Sequence, residues 1–69
     1  MTGKKIITLT DGRTVYAEDY IKAKTAQLKE FGYNSLNEKA VGEQLDKILK
    51  NENDLTVIGH FIKDDIKVK

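Results

Sequence analysis

One histidine (His60), two adjacent acidic pairs (Glu18-Asp19 and Asp64-Asp65) and a polar run from Asn51 to Asp54 are the residues from which catalysis or metal binding would have to be built. His60 lies inside an apolar run, and no motif around it supplies a nucleophile or a second ligand, so it reads as a structural residue. The acidic pairs could ligate a cation, yet adjacent carboxylates suit a helix first turn and a loop better. The run Asn51 to Asp54 lacks the central glycine and the terminal glutamate of a calcium loop. The five glycines are scattered, so none of them builds a loop that cradles phosphate. With no cysteine there is no thiolate ligand, no cysteine nucleophile and no disulfide framework. The sequence predicts a protein that is not an enzyme and that uses neither metal nor cofactor.

The chain must therefore act through its surface, and its size limits what it can support. Sixty-nine residues make one small domain, residues 1–69. Charged residues make up 33% and apolar ones 39%, and the signs cancel to a net +1, a balance that favours folding over disorder. A domain near this size buries only about 60% of its unfolded surface, so association with a larger protein, or with itself, would add stability it lacks alone. A cysteine-free chain with no apolar run near the roughly 20 residues of a membrane span is expected in the cytoplasm, without a membrane partner. The apolar stretch after Lys5 is too short for a signal peptide. The small net charge also disfavours nucleic acid as the partner.

The elements that would carry such a surface follow from the periodicity. Lys5–Thr10 and Arg13–Tyr16 are two β-branched runs around Asp11-Gly12, which predicts a hairpin with a two-residue type I′ turn. That turn would set Ile7 opposite Tyr16 and Leu9 opposite Thr14, with Ile7, Leu9 and Tyr16 on one face. Ile21, Leu28 and Phe31 then recur at helical spacing, with Glu18 and Asp19 in the first turn and Gly32 just past the end, predicting a helix over roughly 17–31. Ser35-Leu36-Asn37-Glu38 matches a capping box, and Ala40, Val41, Leu45, Ile48 and Leu49 form the stripe of a second helix over about 36–50. In residues 55–66, Leu55, Ile58, Ile62 and Ile66 fit a helix. The β-branched content and the interior Gly59 favour strands instead, with Ile66–Lys69 as an edge strand guarded by lysines. The predicted fold is α+β: an N-terminal β-hairpin, a two-helix hairpin and a C-terminal β-strand pair.

Residues Gly32 to Val41, reading Gly-Tyr-Asn-Ser-Leu-Asn-Glu-Lys-Ala-Val, resemble the inter-helix turn and second-helix start of ribbon-helix-helix repressors. The resemblance implies a dimeric DNA-binding protein in which Asn34 and Ser35, at a helix N-terminus, would grip a phosphate. It would also make Arg13, in the run before the first helix, the base reader. The composition, short and rich in lysine, isoleucine and asparagine, resembles that of small accessory proteins of phages and mobile elements. The function expected first is accordingly that of a non-enzymatic accessory or regulatory protein that binds a larger protein. Tyr16, Tyr20 and Tyr33 are then the candidate interface anchors, because tyrosine is amphipathic and loses little conformational entropy when fixed.

Overall fold

The computed structural model describes residues 5–67, in the order β1 (Ile6–Thr8), β2 (Thr14–Tyr16), α1 (Ala17–Glu30), α2 (Glu38–Leu49) and α3 (Val57–Lys63). The fold is α+β: a two-stranded antiparallel hairpin followed by three helices. The core joins Ile7 and Leu9 of the hairpin region, Tyr20 and Leu28 of α1, Val41, Leu45 and Ile48 of α2, and Ile62 and Ile66 at the C-terminal end.

The hairpin forms where expected but in a different register. Ile6 pairs with Tyr16, Ile7 with Val15 and Thr8 with Thr14. The turn is one residue longer than a type I′ turn, with Leu9 N–H donating to Arg13 C=O (2.8 Å) and Gly12 N–H to Leu9 C=O (3.0 Å). A type I′ turn needs positive φ at both central residues, and Asp11 does not have it; Gly12 alone carries the left-handed step, at φ +94°. Asp11 instead accepts from the Arg13 backbone N–H (3.0 Å) and from Arg13 Nε (2.8 Å), bonds that bridge the loop. The one-residue shift moves alternate side chains to the other face. Val15 joins Ile7 and Leu9 on the core side, while Tyr16 stands outside beside Ile6.

Helix α1 closes as its sequence predicts. Gly32 N–H reaches Lys29 C=O and Tyr33 N–H reaches Leu28 C=O, both at 3.1 Å, the bond pair of a Schellman ending. The start of α2 differs from expectation. The cap is Asn37, whose Oδ1 accepts from Ala40 N–H (2.9 Å), while Ser35 lies two residues before that cap. Leu36 explains the shift: directly before the cap it is buried in the same core as Val41 of the first turn, and that burial sets where the chain enters the helix. Asn51, at φ +61°, ends α2 in the same manner as Gly32 ends α1. Lys47 reaches forward to Asp54 (3.1 Å) rather than back to Glu43.

The C-terminal strand pair and the simple two-helix hairpin are corrected by α3. Thr56 caps it, its hydroxyl accepting from Gly59 N–H at 3.2 Å. Ile62 turns inward with Gly59, whose lack of a side chain leaves room for the Gln44 amide: a Cβ there would fall on Gln44 Oε1 and stand 3.1 Å from Leu55 Cβ. Gln44 Oε1 in turn accepts from Thr56 N–H (3.1 Å), fixing the start of α3 to α2. After α3 the chain reaches the outer side of β1, where Leu9 and Ile66 form an isolated bridge. Thr10 N–H donates to Asp65 C=O and Lys67 N–H to Thr8 C=O, both at 2.9 Å. The remainder of the expected edge strand, Val68 and Lys69, lies outside the described residues.

Candidate functional site

Two surface features stand out once the core is assigned. The first is aromatic. On α3 and its C-cap, Val57, His60, Phe61 and Asp64 recur at helical spacing on the face turned away from the core, and Phe61 is 47% and Val57 64% exposed. Tyr33, in the turn after α1, meets Phe61 edge-on, with ring centroids 5.9 Å apart and planes at 66°. Two residues before it Phe31, the residue that ends α1, is 67% exposed. The backbone that carries Tyr33 is fixed in the turn, since its N–H donates to Leu28 and its C=O accepts from Leu36.

The second feature is a cleft of about 440 Å³ between the hairpin and α1. Leu9, Val15, Tyr20 and Ala23 supply its apolar lining. Its charges are largely paired. Lys24, only 8% exposed, is ion-paired with Asp65 and donates to Gln27 Oε1 at 3.0 Å. The Tyr20 hydroxyl stands 3.5 Å from the same Asp65 carboxylate, and burial together with that negative charge pushes the phenol well above its usual pKa. At the hairpin tip Asp11 and Arg13 form a 2.8 Å pair, and the hydrogen bond from the Arg13 backbone holds the Asp11 carboxyl below its ordinary pKa. The Asp19 carboxylate, exposed on the first turn of α1, enters no ion pair or side-chain hydrogen bond among the described residues.

The three candidate tyrosines do not form one surface. Tyr16 is exposed on the outer side of the hairpin, Tyr20 is a core residue, and Tyr33 belongs to the aromatic surface. Arg13 stands at the hairpin tip, while Asn34 and Ser35 are exposed in the loop between α1 and α2, and no hydrogen bond or ion pair joins Arg13 to that loop among the described residues. The phosphate-grip position assigned to them by resemblance is displaced, because Asn37 caps α2. His60 is exposed rather than part of the core. Among the described residues no three His, Cys, Asp or Glu side chains gather as a metal site. No described helix is long and apolar enough to cross a membrane.

Sequence reasoning passed over Phe31 and Phe61, assigning one to a helix stripe and the other to a strand. A signal for each was present. Phe31 immediately precedes the terminating Gly32, and Phe61 falls outside the helical stripe Leu55, Ile58, Ile62 and Ile66. Compared with protein-family models, curated proteins and solved structures, the chain shows no match.

Proposed function

We propose that this chain is a non-enzymatic accessory or regulatory protein that works by binding a larger protein through the surface of Phe31, Tyr33, Val57 and Phe61. The exposure of these apolar side chains around the Tyr33–Phe61 contact carries the reading. A domain this small gains little by leaving two phenylalanines and a valine in water, whereas a partner covering them would recover about 25 cal/mol for each Å² of apolar surface removed from water. DNA binding is the less supported reading. Arg13 is held by Asp11, and a net charge of +1 releases few counterions.

The test is affinity capture from a lysate of the organism that encodes the chain, with wild type and Phe61→Asp side by side, read by mass spectrometry. A protein recovered reproducibly with wild type and lost with Phe61→Asp is the expected result. Equal recovery by both would overturn the assignment of the surface. Tight, sequence-selective and salt-sensitive binding of a duplex by a dimer, measured by fluorescence anisotropy, would overturn the class.

A further inference from the structure

We propose that the cleft between β2 and α1 receives an extended peptide segment of the partner, which adds as a strand to the open edge of β2 and lays a lysine or arginine against Asp19. The proposal rests on the reading that this chain binds a protein, but it concerns a surface separate from the aromatic one.

The hydrogen-bond parity of the hairpin identifies the open edge. Leu9 N–H bonds to Arg13 C=O and Ala17 N–H to Lys5 C=O, so residues 9, 13, 5 and 17 turn these groups inward across the ladder. Antiparallel pairs alternate, and therefore the Thr8/Thr14 pair directs its N–H and C=O groups outward. On the β1 side this is satisfied, because Thr8 C=O accepts from Lys67 N–H. On the β2 side Thr14 has no such neighbour among the described residues. An extended peptide is the ligand that supplies a donor and an acceptor at strand spacing.

The lining of the cleft defines the side chains such a peptide would carry. Residues flanking the one opposite Thr14 would point the same way as Arg13 and Val15, into the cleft. There they meet an apolar lining and a set of charges in which both cations, Arg13 and Lys24, already have carboxylate partners. Asp19 is the lining charge left without a partner, and it calls for a cation. A β-branched residue beside a lysine or arginine satisfies the lining, the open edge and Asp19 together; a small organic cation would leave the strand edge unpaired.

The experiment selects a displayed library of random eight-residue peptides on the immobilised full chain. It then measures the best peptide by anisotropy against wild type, Asp19→Lys, Asp19→Asn and Phe61→Asp, each checked for folding by circular dichroism. The expected motif has a basic residue next to a β-branched one. Asp19→Lys should weaken binding roughly tenfold, Asp19→Asn less, and Phe61→Asp not at all. Methylating the peptide nitrogen that would donate to Thr14 should weaken binding at least as much as Asp19→Lys. No enrichment over bare support, an acidic motif, or an affinity unchanged by Asp19→Lys would overturn the proposal. Loss with Phe61→Asp would move the peptide to the aromatic surface. Peptide binding that persists while lysate capture fails would leave the cleft standing and the aromatic reading refuted.

Discussion

Gly59→Ala should destabilise the protein although alanine is the better helix former, and the contact with Gln44 explains why. At an open helix interior the substitution gains about 1 kcal/mol. Here the new methyl would occupy the place of Gln44 Oε1 and press on Leu55 Cβ at 3.1 Å. Gln44 is buried, so its amide must leave the bond to Thr56 N–H or push α3 outward. Loss of that bond costs about 1 kcal/mol, and overpacking costs about 1–3 kcal/mol. Against the propensity gain the balance is a loss of about 1–3 kcal/mol, or a Tm roughly 4–24 °C lower for a domain of this size. Thermal denaturation followed by circular dichroism measures it, and a double-mutant cycle isolates the cause. In a Gln44→Ala background the nearer obstacle is gone and only the approach to Leu55 Cβ remains, so Gly59→Ala should cost clearly less than in the wild type. A Tm raised by Gly59→Ala in the wild-type background, or an equal loss in both backgrounds, would refute the reasoning.

Asn37→Ala should cost about 1 kcal/mol of stability through loss of the α2 cap, while Ser35→Ala should change the urea midpoint little, because Ser35 lies outside the helix. Gly12→Ala should cost about 1–2 kcal/mol, and Gly12→Asn less, since the turn needs positive φ there and asparagine tolerates it better; chemical denaturation ranks the three. Tyr20 keeps its proton in the folded protein to higher pH than in the unfolded chain. Its contribution to stability is therefore complete below pH about 10, where the unfolded phenol titrates, and is lost as pH rises from there toward the folded-state value. Tyr20→Phe should flatten that alkaline loss, measured as urea midpoints between pH 8 and 11, and an unchanged slope would assign the loss to other groups.

How far the fold was legible depended on whether a local rule met a tertiary contact. The end of α1 at Gly32 and the stripe of Val41, Leu45 and Ile48 are local in origin, and both appear as read. Asp11-Gly12 marked the hairpin correctly, but the dipeptide serves two loop lengths. The choice fell to the core, which takes Val15 beside Ile7 rather than Tyr16. The α2 cap was misplaced by two residues because Ser35 and Asn37 are both competent caps, and burial of Leu36 selects between them. Residues 55–66 show the limit most directly. Gly59 counts against a helix by propensity, yet it is the residue that lets α3 lie on Gln44. No rule confined to neighbours in sequence could have anticipated a partner on α2.

The surface was less legible than the fold for a related reason. An aromatic residue in a periodic stripe reads as core, whereas Tyr20, read as an interface anchor, is itself buried in the core. Phe31 ends α1, where the chain turns away from the core through Gly32, so continuing the stripe by three residues from Leu28 assigns it a burial it does not have. Phe61 escapes the core once 57–63 is a helix, because Ile58 and Ile62 take the inward face. The edge contact of Tyr33 then brings the inter-helix turn and α3 together, joining residues 28 positions apart in sequence. Tyrosine was the residue type sought as an anchor, and one of the three stands at this contact. The two phenylalanines beside it expose more of themselves than Tyr33 does, and they are the side chains whose burial would contribute most to holding a partner.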